Sequence, residues 1–357
     1  MKTNINTLYL TYAGSRSYGT ALPTSDTDYR GFFCPSKDML FGFQDQVEQY
    51  EEKSPDDKVI YDIRKFFKLA AECNPNILEI LFVDKSDIVI CNPVVENILA
   101  NKHEFLSQKI LVTYAGYATS QFKRLESHRA WLRSPPKAPP QRTSFGLSMQ
   151  PVITHGQLDL IESMIREQVD NWNIDLESVE PIARFELYDK IKKYLATIHA
   201  ATLEQKSTLA LKSLNLSDVN FELIEQERKY RAAIKHWNQY QNWIKTRNVA
   251  RAASEEKCGY DTKNAMHLVR LLKMCHEILS TKQMHVKRSD ADELLYIRNG
   301  HLTYEDLVSW VKTQEEKIAL ALQTTTLPKS SNKALLNQLC ISTIEACLNE
   351  NGRIVIS

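Results

Sequence analysis

Apolar and polar residues alternate with a period of two over Thr7–Ala13, "TLYLTYA", which predicts a half-buried strand closed by Gly14. A second strand is predicted over Thr27–Cys34, "TDYRGFFC", stopped by Pro35, and a third over Asp57–Ile63, "DKVIYDI". The third runs straight into "RKFFKLAAE", where the period becomes that of a helix. That helix should stop at "CNPN", because Pro75 disfavours a helical conformation at Asn74. The short apolar runs "NILEILF" and "DIVIC" carry no period that separates strand from helix.

From about Val94 onward the period is helical. "RSPPKAPPQRTSFG", Arg133–Gly146, interrupts it: four prolines and several basic residues exclude a helix or a central strand and predict an extended connector or an ordered loop. Further helices are predicted over Gln157–Asp170, over "EPIARFELYDKIKKYLATIHAATLEQ" and over Asp218–Ala252. In the last of these Tyr230, Ile234, Trp237 and Ile244 recur near helical spacing and are expected to pack as core. A polar stretch near Thr324–Lys333 precedes a short C-terminal segment. The fold class expected is therefore α+β, with a small sheet-containing domain over 1–95 and a larger α-helical domain over 96–357.

Composition changes this picture little. Lys and Arg number 45 against 44 Asp and Glu, so no whole-molecule field calls for nucleic acid, and any such contact must come from a local basic surface. Seven scattered cysteines form no CxxC pair, and the opening "MKTNINTLYL" is too polar for an export signal, which together predict reduced thiols in a cytoplasm. No apolar run approaches the roughly 20 residues that cross a bilayer. A soluble cytoplasmic protein without a membrane partner is expected.

The chemistry concentrates in "YAGSRSYGTALPTSDTDYRGFF". Residues two apart on a strand share a face, so Asp26 and Asp28 are expected to project together. Two ionised carboxylates this close repel unless a cation lies between them, and hard oxygen ligands suit Mg²⁺ or Mn²⁺. The alternative is a polar turn, since Ser, Asp and Thr favour turns. Upstream, Gly14 lets backbone approach a ligand, Ser15 offers a hydroxyl, and the following amides and Arg16 favour an anion. A third carboxylate on a neighbouring strand would complete a two-metal centre. Asp57 is the choice, because Asp62 stands where it would cap the helix that follows.

These residues resemble the nucleotidyltransferases of the DNA polymerase β superfamily, most strongly the bacterial and phage branch described as RNA-repair-pathway nucleotidyltransferases. The resemblance is carried by "GSRSYGTALPTSDTDYRG", "DKVIYDIRKFFKLAAECNPNILEILF", "HRAWLRSPPKAPPQRTSFGL" and "GYDTKNAMHLVRLL". It implies a polymerase-β-like catalytic domain in which Gly14 and Ser15, with Arg16 and Tyr18 beside them, grip a triphosphate. It further implies that Asp26, Asp28 and Asp57 hold two Mg²⁺ or Mn²⁺ ions. The implied reaction moves a nucleoside monophosphate from a triphosphate, with ATP expected, to an acceptor hydroxyl, preferably a tRNA or other RNA 3′ end. Transfer of AMP to a protein partner, or an idle nucleotide- or RNA-binding module, are the alternatives. One departure is Asn264, where the family pattern has histidine after the lysine, so no proton-transfer role is carried over to it.

Two basic stretches remain. Lys263, His267 and Arg270 recur at helical spacing, so Lys263 and Arg270 are candidates to close over the triphosphate. "FKRLESHRAWLRSPPKAPPQR" sets six Lys or Arg against one Glu with Trp131 interleaved, and offers Lys123, Arg124, Arg129 and Arg133 as nucleic-acid contacts.

Overall fold

The computed structural model describes residues 6–43, 47–53, 56–171, 202–213, 218–247 and 249–352. Five strands, β1 (Thr7–Ala13), β2 (Asp28–Phe33), β3 (Gln49–Glu52), β4 (Asp57–Asp62) and β5 (Ile88–Cys91), form one mixed sheet in the order β3-β4-β2-β1-β5. β1 runs antiparallel to β2 and β5, β3 antiparallel to β4, and β2 parallel to β4. An N-terminal mixed sheet followed by a mainly helical remainder is the α+β class expected.

Alternation along the strands decides what each face does. Tyr9, Phe32 and Ile63 are buried on the side covered by α3 (Ile63–Ala71), where Phe66 packs 4.4 Å from Phe32 between ring centroids. Leu10, Phe33 and Ile60 form a smaller cluster on the other side, with Tyr29, Met39 and Tyr50 against it. Two short helices, α1 (Gly14–Tyr18) and α2 (Lys37–Phe41), fill the β1–β2 and β2–β3 connections. α3 starts where Asp62 accepts the Arg64 amide at 2.7 Å, and Cys73 at φ 56° ends the turn before Pro75. Asn74 then caps α4 (Pro75–Leu78), which tightens into a 3₁₀ turn over Glu79–Phe82. The two runs without a period thus divide: "NILEILF" is helical and "DIVIC" holds the edge strand β5.

The helices continue as α5 (Glu96–Ala100) and α6 (Gly116–Arg133), the latter entered through a π turn over Leu111–Ala115. Next come α7 (His155–Asn171), α8 (Leu203–Ser213), α9 (Asp218–Thr246), α10 (Val249–Cys258) and α11 (Thr262–Thr281). The last are α12 (Ala291–Arg298), α13 (Tyr304–Thr324) and α14 (Lys333–Gly352). α6 ends at Arg133 as the proline run begins. The helix expected over residues 180–205 falls largely outside the described residues, of which 202–205 are included. The single helix expected over Asp218–Ala252 is instead two, α9 closing at Thr246 and α10 opening at Val249.

Two compact units result: residues 1–134 together with 248–357, and residues 135–247. In the first, one core runs from the sheet through α3, α6, α11 and α13, and α11 buries Met266, Leu268, Val269, Leu272 and Ile278 in it. Among the described residues the second holds a core of Leu158, Ile165, Ala210 and Ile224. Of the apolar stripe expected to pack on α9, Tyr230, Ile234 and Trp237 are half-buried and Ile244 is exposed, so the stripe is packed only in part.

Candidate active site

The site is built at the end of β1, where the chain turns. Ala13 is extended, Gly14 takes φ 62°, and α1 begins at once with no side chain capping its first amides. Those amides are donors without an intrahelical partner, the arrangement that suits an anion. Ser17 Oγ donates to the Gly14 carbonyl at 3.0 Å, and Thr20 N donates to Ser15 O at 2.8 Å, which fixes the turn from inside. A Cβ on Gly14 would run into the Asp28 carboxylate. The glycine is required twice, by its backbone angle and by the acid packed over it.

Asp28 opens β2 opposite Ala13, and in the parallel pairing with β4 it stands directly across from Asp57. Both acids therefore project from one face, the face of Thr11, Arg30 and Val59. Burial raises the Asp28 carboxyl above its ordinary value; the charges of Asp57 and Asp26 add to the rise, and Arg30 and Lys263 oppose it. Asp26 lies just ahead of the strand and is exposed. Asp57 is half-exposed and accepts from Arg30 at 3.0 Å, while the same guanidinium also donates to the Asp57 and Tyr29 carbonyls. Asp62 sits on the opposite face, capping α3 and paired with Arg64 at 2.5 Å. Its oxygens are committed.

Asp28, Arg30, Gly14, Ser17 and Tyr61 line a cavity of about 250 Å³ together with Glu51, Tyr18 and Glu79. Asp26 and Asp57 stand outside that lining. Arg16 is directed to the Tyr12 ring, 5.3 Å from its centroid, and is exposed. The wall behind α1 is a buried network. Tyr18 donates to Glu79 at 2.6 Å, Arg270 donates to the other Glu79 oxygen at 2.6 Å, and the guanidinium lies 3.8 Å over the Tyr18 ring. Burial disfavours the Arg270 charge, but Glu79, Tyr18 and Tyr114 together outweigh that and keep it protonated; burial above all raises the Tyr18 hydroxyl. Sequence reasoning placed Tyr18 and Arg270 on the nucleotide; here their polar atoms hold each other through Glu79. Glu79 itself was missed, because an acid inside "NILEILF" has no motif to announce it, and so was Glu51.

From α11, Lys263 is half-buried and its charge reaches Asp28. His267 is held down to about 3 by burial and then by the charges of Arg270, Lys263 and Arg298, so it is neutral at physiological pH. Asn264 donates both its amide, at 3.0 Å, and its side chain, at 2.8 Å, to Asp261, which caps α11. Of the four basic residues expected on nucleic acid, Lys123, Arg124 and Arg133 are exposed on α6. Arg129 is folded over the Tyr304 ring at 3.6 Å and paired with Glu305 at 2.9 Å. Arg129 and Arg133 line a separate cavity of about 390 Å³ with Lys257 and His301.

Two acid groups could take a cation. His128, Glu255 and Asp261 bring ligand atoms within 4.8 Å of one another. Strand register sets Asp28 across from Asp57, whose carboxylate is held by Arg30, while Asp26 lies ahead of the paired residues. Their donor set, all hard oxygen, fits Mg²⁺ or Mn²⁺, and Asp28 and Asp57 stand across from each other on one sheet face.

Comparison with known proteins finds a likeness over the N-terminal part. Residues 1–134 match RlaP, the RNA repair pathway DNA polymerase beta family. The resemblance read from the sequence is borne out over that stretch. Over 134 residues the chain is 31% identical to an uncharacterized 38.9 kDa protein from the nrdC-mobD intergenic region of Enterobacteria phage T4. That alignment covers 33% of this chain and 38% of the phage protein. No solved structure matches the chain. The RlaP match ends where the first compact unit breaks at Ser134, so it takes in the sheet, the Gly14 turn and α6, but not α11.

Proposed function

We propose that the protein is a metal-dependent nucleotidyltransferase that moves a nucleoside monophosphate, with ATP as donor, onto the terminal hydroxyl of an RNA. The observation that carries this reading is the register that sets Asp28 beside Asp57 on one sheet face, with Asp28 packed against the Gly14 turn. A binder of nucleotide needs the turn; it does not need paired acids whose mutual repulsion costs stability.

In this reading the uncapped amides of Gly14–Arg16 hold the triphosphate, and Asp28, Asp57 and Asp26 hold the cations. When bound, two divalent ions would supply positive charge that offsets the negative charge on the α-phosphate oxygens and on the departing pyrophosphate. The acceptor oxygen forms a bond to the α-phosphorus, the bond to the bridging oxygen breaks, and pyrophosphate leaves. The hydroxyl proton passes to a carboxylate of the group or to water. Were cations bound, the Asp57 carboxylate would turn to them, and Arg30 would keep its Tyr29 and Asp57 carbonyl partners. Lys263 adds positive charge from α11, and the Tyr18–Glu79–Arg270 network keeps α1 at a fixed height over Asp28.

The test is incubation with each labelled triphosphate, Mg²⁺ or Mn²⁺, and either total tRNA or cell lysate. Label on RNA supports the proposal, and Asp26→Ala or Asp28→Ala should remove it while the chain stays folded. Label on a protein band replaces the acceptor. Retained nucleotide binding with no label under any condition overturns transfer altogether.

A further inference from the structure

The segment after α4 serves two cavities. Glu79 and Ile80 line the catalytic cavity, Phe82 lines a second one, and Val83 lines both. The second cavity, about 360 Å³, is walled by three separate stretches that bring in Lys85, Lys102, His103, His285 and Lys287. Asp84 is the one carboxylate in that lining, and its Oδ1 already accepts the Ser86 amide at 2.9 Å and hydroxyl at 2.7 Å. His285 is paired with Glu277 at 2.9 Å. Among the described residues no carboxylate lies within ion-pair distance of Lys85, Lys102 or Lys287, although the Lys287 charge reaches Asp84 and Asp87 from farther off.

Lys102 is the most telling of the three. It is half-buried, its ammonium lies 4.9 Å from the Phe82 ring centroid, and burial alone lowers its pKa. His103 meets the same ring edge-on at 5.4 Å. A cation kept partly out of water with no acid beside it gains from an anionic ligand. The lining holds no arginine, and lysines act as point charges toward phosphate oxygens rather than as planar forks for carboxylates. Cations spaced over three chain segments suit several phosphates in a row better than a single one.

We propose that this basic cavity holds the phosphodiester backbone of a polynucleotide whose end is presented to the adjoining catalytic cavity. The second half of the statement rests on the nucleotidyl-transfer reading; the first half does not. The surface is distinct from the basic face of α6, and no sequence motif marks it, because Lys85, Lys102 and Lys287 lie far apart along the chain.

Fluorescence anisotropy of a short labelled single-stranded RNA, titrated over a range of salt, tests it on the intact protein. Lys85→Ala/Lys102→Ala/Lys287→Ala should weaken binding more than about tenfold at low salt. It should also reduce the slope of log affinity against log salt by about 2, since each phosphate contact on a single strand contributes about 0.7. The corresponding triple Lys→Arg variant should restore both. Should the triple Ala variant melt early, Lys85→Glu/Lys287→Glu, at two exposed positions, gives the same readout. Calorimetry with Mn²⁺-ATP separates the sources of phosphate: if the Ala variant loses ATP binding, the lysines serve the donor triphosphate and the proposal falls. It falls equally if wild-type protein binds no RNA, or if affinity and slope are unchanged. Lysine-dependent RNA binding without label transfer would keep this surface and refute the transfer reading instead.

Discussion

A side chain at position 14 would need the space of the Asp28 carboxylate and a backbone angle that L residues seldom adopt. Gly14→Ala is therefore expected to lower nucleotidyl transfer at least about a hundredfold and to lower the melting temperature, read by label transfer and by calorimetry. Asp28 presents the opposite case. Its folded pKa lies above the unfolded value, so the folded state binds the proton more tightly, and stability falls as pH rises through the folded pKa. Asp28→Asn should then raise the melting temperature of the metal-free protein near pH 7 while abolishing transfer, the gain fading below about pH 4. His267 titrates the other way. Neutral in the fold down to about 3, it gains a proton first in the unfolded chain, so its contribution is complete above about 6.5 and is lost as pH falls through that window. Urea midpoints of His267→Gln should be less acid-sensitive over that range. At this scale the sequence made Asp28, Asp57 and Gly14 legible, because alternation and a glycine after a strand are local signals. It could not reveal the Asp57–Arg30 pair or Glu79, whose partners come from other elements.

Among elements, α11 is tied to the turn that would hold the triphosphate. Arg270 and Glu79 are both buried, and Tyr18 joins them from α1. Arg288 adds a backbone link by donating its amide to the Tyr18 carbonyl at 3.1 Å, and Arg298 donates to Thr20 O at 3.0 Å. Removing one partner of a buried pair leaves an uncompensated charge, so Arg270→Met should cost about 3–5 kcal/mol in urea unfolding. Adding Glu79→Gln to that variant should recover part of the loss, which a double-mutant cycle would read as coupling. Strands β1, β2 and β4 were legible from period-two runs, and α3 from its cap and its proline stop. The short turn α4 and edge strand β5 were not, since runs as short as "NILEILF" and "DIVIC" carry no period that separates strand from helix. The break between α9 and α10 escaped because nothing at Arg247 departs from helical composition.

At the scale of the molecule, the fold class followed from where the periodicity changes, yet the compact units do not follow chain order: residues 248–357 join 1–134. Such pairing depends on long-range packing of α11 against α6 and α13, which a one-dimensional pattern does not encode. Among the described residues no helix is long and apolar enough to cross a membrane. Because the acids of the site repel one another, divalent cations should stabilise the intact protein. Mn²⁺ should raise its melting temperature by several degrees, and the rise should disappear in Asp28→Asn.

Where a cation settles decides whether these acids form a metal centre. Crystals grown with Mn²⁺ and a non-hydrolysable ATP analogue would report this through anomalous difference density. The expected result is density among Asp26, Asp28 and Asp57, with Arg30 displaced from Asp57 and the triphosphate against Gly14 and Ser15. Density at His128, Glu255 and Asp261 alone, or an Arg30–Asp57 pair unchanged beside bound nucleotide, would contradict it.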